Sequence, residues 1–430
     1  MLVALGLYLL FAVTFASFRV SNDGLVYFDF LRRLLGEHVK GVAYQFGVAY
    51  FNLPFYLGGR ALQELGVGSI FGAPPPQAAI AVASNVALVL TLWLGWRLLQ
   101  RLYLSAGPAV LFLTVFGSPL FYYTAFQPSY KHAVDALAVT VLALLLLLAV
   151  ERLDDRVALG IGAVLAVLFS IRYANVGLVP AAALPFLVRR DGRRFGLATL
   201  ALVVTGAVVF AIPAARGIRF KRGSEVAIRA SVHVEPQVQL AGVLPSGNTL
   251  CKGYSYHLSL RQCLHNKFGI WPIGRAPVWM LFSVRRGLFL WTPLTALSLV
   301  GFALAFSSRP QHRRYLAVLA LSALSLVWVH ALWGDFWTNG FSFSQRFLAS
   351  LFPVFLVGVA ELVRRWRQWA VAALTLCALF SVYVGFNHFI GYRGISERDN
   401  LGTVVTTNGD RDVAETLRLI GHRARERWTP

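Results

Sequence analysis

Apolar runs of about 20 residues recur along the chain and are separated by short polar segments. A helix of about 20 apolar residues is long enough to cross a hydrocarbon core roughly 30 Å thick. The runs are continuous and do not alternate with period two, so a transmembrane β-barrel is disfavoured. The pattern therefore predicts an all-α polytopic membrane protein with about eleven transmembrane helices. The predicted spans are 2–18, 77–97, 107–123, 132–150, 157–171, 174–188, 196–215, 287–306, 314–332, 346–363 and 369–387.

Composition agrees with this class of protein. Of the 430 residues, 57% are hydrophobic and only 14% are charged, whereas soluble domains carry about 25% charged residues. A soluble enzyme, a disordered chain and a disulfide-rich secreted scaffold are therefore excluded. The 40 basic residues outnumber the 19 acidic ones, which favours contact with anionic lipid headgroups or anionic substrates. No basic soluble domain or binding motif accompanies the charge, so nucleic acid is not expected as a partner.

The arginines of the short loops indicate the orientation of the spans, because cytoplasmic loops are enriched in basic residues. With a cytoplasmic amino terminus, the short outer connections carry only Lys131, Arg172 and Arg346. The inner loops then carry Arg97, Arg101, Arg152, Arg156, Arg189, Arg190, Arg193, Arg194, Arg309, Arg313, Arg314, Arg364, Arg365 and Arg367. We therefore predict a multi-pass protein of the cytoplasmic membrane, with any active site on the extracytoplasmic face.

This orientation divides the chain into four regions. An N-terminal transmembrane module (1–215) is predicted to be catalytic and includes the first outer loop (19–76). An extracytoplasmic loop (216–286), the C-terminal transmembrane helices (287–387) and an extracytoplasmic tail (388–430) follow it. A short outer loop over 333–345 interrupts the C-terminal helices.

The first outer loop begins with an amphipathic helix. Tyr27, Phe30, Leu31, Leu34 and Leu35 follow helical spacing, and such a stripe is typical of a helix that lies on a membrane with its apolar face in lipid.

Asp23 stands at the start of this helix. It is either a helix N-cap or a carboxylate that acts as general base or ligand at the mouth of a membrane cavity.

Further charged residues stand at the outer ends of spans. His132 and Asp135 share one helix face, which fits either a local His–Asp pair beside a snorkelling Lys131 or a Lys131–His132 cation pair directed at a phosphate. Arg172 lies between two apolar spans, where it either snorkels to the interface or belongs to a site.

The stretch 333–346 combines aromatic, acidic, amide and basic side chains. Its aromatic residues fit an interfacial belt, but Asp335, Trp337 and Asn339 also suit a sugar ring, and Arg346 suits a phosphate. Arg285 and Arg286 at the outer end of another span are either a basic rim or weaker phosphate ligands.

The chain has three cysteines, without the spacing of a metal site. Cys251 and Cys263 lie in the large outer loop, where they form either a disulfide or free thiols. Cys377 lies within a span and is expected to pack as an apolar residue.

Four segments, in this order, carry a family resemblance: Asp23–Gly24 with the helix after it, Pro119 to His132, Arg285 to Pro293, and Trp337 to Arg346. They resemble the GT-C superfamily of membrane glycosyltransferases, most closely its family 39-like group, which is similar to protein O-mannosyltransferases and aminoarabinose transferases.

The resemblance implies a polyprenyl-phosphate-linked sugar as donor and a glycan, lipid or protein acceptor on the outer side. It also implies a catalytic carboxylate in the first outer loop, and Asp23 occupies that position. Asn22 stands where the commoner pattern has a second acid, so dependence on a divalent metal such as Mg or Mn stays open. Asp29 is the rival base and a candidate contact to the sugar or acceptor.

The expected reaction is an inverting transfer with Asp23 as base. Arg346, Arg172 and Lys131 would hold the phosphate, with His132 assisting, and Asp335, Trp337 and Asn339 would contact the sugar. The alternatives are a transporter or flippase for lipid-linked sugars and a non-catalytic subunit of envelope assembly. A transporter is expected to contain internal repeats, and the chain shows no convincing repeat.

Overall fold

The computed structural model describes residues 2–20, 23–37, 39, 46–102, 104, 107–215, 275–284, 286–332, 343–391, 418 and 422. These residues form helices and turns, with one isolated β-bridge between Ile70 and Ala73. The helices are α1 (Leu2–Phe15), α2 (Asp23–Leu34), α3 (Gly47–Glu64), α4 (Pro75–Arg101), α5 (Pro108–Phe116), α6 (His132–Glu151), α7 (Asp155–Ile171), α8 (Val179–Arg189), α9 (Gly192–Ala215), α10 (Arg275–Phe282), α11 (Leu288–Trp291), α12 (Pro293–Ser308), α13 (Arg313–Leu332), α14 (Phe352–Arg365) and α15 (Arg367–Gly391). A π-helix (Tyr122–Phe126) and 3₁₀ helices at Tyr173–Leu178, Pro310–His312 and Arg346–Leu351 join them.

The prediction of an all-α membrane protein is confirmed. Six helical segments of the described chain are long and apolar enough to cross a membrane. They are Pro75–Arg101, His132–Glu151, Gly192–Ala215, Pro310–Ala331, Arg346–Arg365 and Arg367–Phe389. Each of the other predicted spans also has a helical counterpart, although these helices are shorter. The count of eleven crossings stays a prediction.

The loops predicted to be cytoplasmic gather at one end of the bundle. Arg101 pairs with Glu151 at 3.1 Å, and Arg189 donates a hydrogen bond to the carbonyl of Val150 at 2.7 Å. These contacts join loops that are remote in sequence, as the predicted alternation of spans requires.

Glu361 is a fully buried carboxylate that ties three helices together at this end. It accepts hydrogen bonds from Ser308 at 3.0 Å, from Arg309 at 3.4 Å and from the Nε of Arg364 at 2.9 Å. Arg309 also donates to the carbonyl of Leu102 at 2.7 Å. The end of α4, the end of α12 and α14 are therefore fixed to one another.

Replacement of Glu361 by Ala is expected to destabilise the fold by about 3–5 kcal/mol, because the buried Arg309 would lose its counter-ion. Glu151→Ala is the matched control, since Glu151 and Arg101 are both exposed and such pairs contribute about 0–1 kcal/mol. Thermal unfolding of the purified protein in detergent measures both changes. Equal losses in the two variants would contradict the structural role given to Glu361.

Small residues allow α12 and α14 to cross closely. A Cβ atom at Gly301 would lie 2.7 Å from the carbonyl carbon of Gly358, and one at Gly358 would lie 2.6 Å from that of Ser298. Close backbone approach through small residues is common between membrane helices. This crossing places α14, and the 3₁₀ helix before it, in the centre of the bundle.

The amphipathic helix α2 packs on protein, so the prediction that its apolar face lies in lipid is wrong. Tyr27, Phe30, Leu31 and Leu34 are all buried, and the ring of Phe30 stacks on Phe46 with centroids 5.3 Å apart. The second helix of the loop, α3, supplies much of the covering surface. Together α2 and α3 cover the end of the bundle opposite Glu361.

Candidate active site

Four segments converge at the end covered by α2. They are the start of α2, the turn before α6, the turn after α7 and the 3₁₀ helix Arg346–Leu351. Asp23 and Arg346 form an ion pair, with Oδ2 of Asp23 2.9 Å from Nη1 of Arg346. The side chain of Asp23 is 34% exposed and that of Arg346 is 18% exposed. Asp23 therefore lies at the rim of the cluster, and Arg346 lies further inside.

Two glycines let the first loop dock against these turns. A Cβ atom at Gly24 would lie 2.7 Å from Cβ of Ser129, and one at Gly47 would lie 2.6 Å from the backbone nitrogen of Ile171. Both distances are too short for non-bonded atoms. The glycines thus permit the start of α2 to rest on the turn before α6, and the start of α3 to rest on the end of α7.

Aromatic rings hold the guanidinium of Arg346. Its Cζ lies 4.8 Å from the ring centroid of Phe347 and 5.7 Å from that of Tyr130. Guanidinium groups stack well on such faces. Its Nε is buried and makes no hydrogen bond to any residue that the structure describes, so this N–H group is able to donate to a ligand.

Lys131 is a second cation of the site and is only 5% exposed. Its ammonium lies 5.7 Å from the ring centroid of Tyr27, and within the described parts of the chain it has no hydrogen bond or ion pair. Asp23, Arg172 and Arg346 lie within its electrostatic reach. A buried ammonium without a direct counter-ion is costly, and an anionic ligand would remove that cost.

Both Nη atoms of Arg172 are engaged by its neighbours, whereas its buried Nε has no hydrogen-bond partner among the described residues. Its Nη1 lies 3.0 Å from Oδ2 of Asp135 and donates to the carbonyl of Phe347 at 2.8 Å. Its Nη2 donates to Nδ1 of His132 at 2.9 Å. Asp135 also accepts a hydrogen bond from Asn175 at 2.7 Å. Arg172 therefore lies between His132 and Asp135, so the local His–Asp pair, one of the two predicted alternatives, does not form.

The cluster has a net positive charge and lies next to an apolar cavity. Lys131, Arg172 and Arg346 face the carboxylates Asp23 and Asp135, which leaves one net positive charge. An apolar cavity lies about one helical turn further along the same helices. It is lined mainly by leucine, valine and alanine, including Val139, Leu142, Leu326, Ser350, Leu351 and Val354. The net positive charge suits an anionic group, whereas the cavity, at about 20 Å³, is too small for a lipid chain.

Two candidate residues lie apart from this cluster. Asp29 is two-thirds buried and lies 3.7 Å from Arg32, about 9 Å along α2 from Asp23. Burial raises the pKa of the Asp29 carboxyl. Arg286 is buried with its guanidinium 4.8 Å from the ring centroid of Trp291. Neither side chain contacts Arg346 or Lys131 in the part of the chain described.

The remaining candidates lie outside the described residues. They are Arg285, Asp335, Trp337, Asn339, Cys251 and Cys263. Their predicted roles stay predictions.

The structure adds His330 to the surroundings of the site. Its Nδ1 donates to the carbonyl of Leu326 at 2.8 Å, and its ring stacks on Phe347 with centroids 5.6 Å apart. The sequence contained a signal for this residue, because a polar side chain inside an apolar span is costly and is a candidate functional group.

Comparison with known proteins gives one family match. The sequence model of the dolichyl-phosphate-mannose-protein mannosyltransferase family matches residues 61–216. No curated protein matches the chain. Among solved structures, the crystal structure of ArnT from Cupriavidus metallidurans bound to undecaprenyl phosphate is similar, with 13% sequence identity and a TM-score of 0.47, over 98% of this chain and 76% of that chain. The predicted resemblance to mannosyltransferases is thus confirmed over residues 61–216, which include Lys131, His132 and Arg172.

Proposed function

We propose that the protein is an integral membrane glycosyltransferase that moves a sugar from a polyprenyl-phosphate donor to an acceptor on the extracytoplasmic side. The observation that carries this proposal is the Asp23–Arg346 pair at the rim of a buried cation cluster. Lys131 in that cluster has no direct counter-ion among the described residues. The match of residues 61–216 to a mannosyltransferase family supports the same reaction class.

The chemistry needs a base and a place for developing negative charge. The acceptor hydroxyl oxygen attacks the anomeric carbon of the sugar, and its proton passes to the carboxylate of Asp23. The bond between that carbon and the phosphate oxygen breaks, and its electron pair stays on the departing polyprenyl phosphate. Arg346 and Lys131 stabilise this charge because they are already fixed beside it.

The placement of the carboxylates supports inversion. A retaining reaction by double displacement needs a second carboxylate as nucleophile, about 5 Å from the first. Asp135 is the other carboxylate of the described cluster. It is engaged by an ion pair with Arg172 and a hydrogen bond from Asn175. We therefore assign a single displacement with Asp23 as base.

Two anions, the carboxylate of Asp23 and the phosphate of the donor, compete for the guanidinium of Arg346 in this mechanism. In the structure it is paired with Asp23, so an incoming phosphate shares or takes over its guanidinium. Release of Asp23 from this pair would make its carboxylate available to the acceptor hydroxyl. Donor binding before acceptor activation is the expected order.

The described donor set does not fit a divalent metal. Within the described ranges no group of three or more His, Cys, Asp or Glu side chains is placed to hold a metal ion, and the described ion-pair partner of Asp23 is the cation Arg346. We therefore propose no step that uses Mg or Mn.

Treatment with a chelator is expected to leave turnover unchanged, as measured by release of polyprenyl phosphate. A loss of turnover that is restored by added Mg or Mn would contradict this assignment.

The direct test uses the purified protein in lipid nanodiscs. A panel of polyprenyl-phosphate sugars is added together with an extract of envelope acceptors, and free polyprenyl phosphate is followed by mass spectrometry. Release above the protein-free control supports the transferase. Binding of the donors without release would favour a transporter or flippase for lipid-linked sugars, and absence of binding would favour a non-catalytic assembly subunit.

A further inference from the structure

A buried chain of two hydrogen bonds and one ion pair ends at His132. Asn175 Nδ2 donates to Asp135 Oδ1 at 2.7 Å, Arg172 Nη1 lies 3.0 Å from Asp135 Oδ2, and Arg172 Nη2 lies 2.9 Å from His132 Nδ1. All four side chains are at most 2% exposed. Their geometry is therefore set by one another and by the surrounding helices.

Each link in this chain has one allowed direction. A guanidinium only donates hydrogen bonds, so Nδ1 of His132 must accept from Arg172. The proton of the imidazole is then on Nε2. A doubly protonated ring would direct an N–H group at the N–H of Arg172, and the tautomer protonated on Nδ1 would do the same. The chain thus holds His132 neutral, with Nε2–H as its donor.

His132 also lies beside the proposed phosphate ligands. It follows Lys131 directly, and its ring stacks on Tyr130 with centroids 6.0 Å apart. The guanidinium of Arg346 in turn lies over the ring of Tyr130. His132 Nε2 forms no hydrogen bond to any residue in the described ranges.

We propose that His132 donates a neutral hydrogen bond from Nε2 to the phosphate of the lipid-linked donor. Asn175, Asp135 and Arg172 are then positioning residues that fix its tautomer. The inference rests on the proposed function, since it names a ligand group at the same site. It also changes the role of Arg172, whose Nη atoms are both occupied and which acts through His132.

The arrangement has a physical advantage at a site that already holds three cations. A fourth positive charge would raise their mutual repulsion before the substrate arrives. A neutral N–H donor fixed in advance adds a directional hydrogen bond as the charge on the leaving phosphate grows, and it does so without further repulsion.

Nitrogen-15 NMR of the full-length protein in lipid bilayers tests the tautomer directly. Labelled histidine is incorporated, and the His132 signals are assigned by their loss in His132→Gln, which is necessary because the chain has nine histidines. We expect a protonated Nε2 and an unprotonated Nδ1 from mildly acidic to mildly alkaline pH. Arg172→Lys and Asp135→Asn are expected to introduce a second tautomer or the imidazolium. A wild-type ring protonated on Nδ1 would overturn the inference.

A second measurement separates this inference from the proposed function. A short-chain polyprenyl monophosphate is added, and ³¹P–¹⁵N dipolar contact is measured at His132 Nε2. Contact supports the inference. Binding of the lipid without contact at His132 would overturn the inference and leave the proposed function intact, whereas absence of binding would overturn the proposed function itself.

Substitutions of His132 give a matched comparison of activity. Gln places an amide N–H near the position of Nε2, whereas Asn places it nearer to Nδ1. We expect His132→Gln to retain most of the rate and His132→Asn to lose about a hundredfold, as for removal of one fixed donor to a developing anion. Equal rates in two variants of equal thermal stability would contradict donation from Nε2.

Discussion

Replacement of Asp23 by Asn is expected to reduce release of polyprenyl phosphate by at least about a hundredfold, because general base catalysis contributes about 10²–10⁴ to rates of this kind. The substitution is nearly isosteric, and its amide oxygen still accepts a hydrogen bond from Arg346, which lies 2.9 Å from Asp23. The change thus removes the basic group while the docking of α2 is retained. Mass spectrometry of the free lipid phosphate in nanodiscs measures the loss.

Asp29→Asn is the matched control for this experiment. Asp29 lies on the same helix, but its neighbour is Arg32 rather than Arg346. We expect this variant to keep nearly the full rate. If Asp23→Asn instead retained the rate and Asp29→Asn lost it, the base would be Asp29 and the mechanism proposed for Asp23 would be wrong.

The sequence was informative about the spans because a bilayer imposes a strict requirement on them. Every backbone polar group in hydrocarbon must be paired within the protein, so continuous apolar runs become helices. The same reasoning marked Lys131, Arg172 and Arg346 as candidate site residues, because charges next to such runs are costly. The structure brings these residues together at one end of the bundle.

The partners of these residues could not be predicted in the same way. Helical spacing suggested that His132 pairs with Asp135, three residues away, but Arg172 lies between the two side chains. Arg172 is separated from His132 by 40 positions. Sequence periodicity reports neighbours within one helix, whereas this contact depends on how α6 and the turn after α7 pack.

The stripe on α2 shows a related limit. The spacing of Tyr27, Phe30 and Leu34 correctly indicates an apolar face. It does not tell whether lipid or protein covers that face, because both remove apolar surface from water. In the structure α3 supplies much of the covering surface.

Replacement of Arg346 by Gln is expected to reduce the transfer rate by about 10²–10³, the range found when one fixed donor to a developing anion is removed. Arg346 lies beside Asp23, Tyr130 and Phe347, so its charge is held where the phosphate is proposed to depart. Arg365→Gln is the control, since Arg365 also stacks on an aromatic ring, that of Trp366, but lies in the last turn of α14, away from the site. Near wild-type turnover in Arg346→Gln would contradict the phosphate-binding role.

A charge exchange separates catalysis from simple ion pairing. In the double variant Asp23→Arg with Arg346→Asp, the ion pair is kept but its direction is reversed. If the pair served only to dock α2 on the 3₁₀ helix Arg346–Leu351, the exchange would restore both thermal stability and turnover relative to the single variants. We expect stability to recover and turnover to stay at the level of the single variants, because a base and a phosphate ligand cannot exchange places when the acceptor approaches from the exposed side of Asp23. Recovery of turnover together with stability would show that the pair is structural.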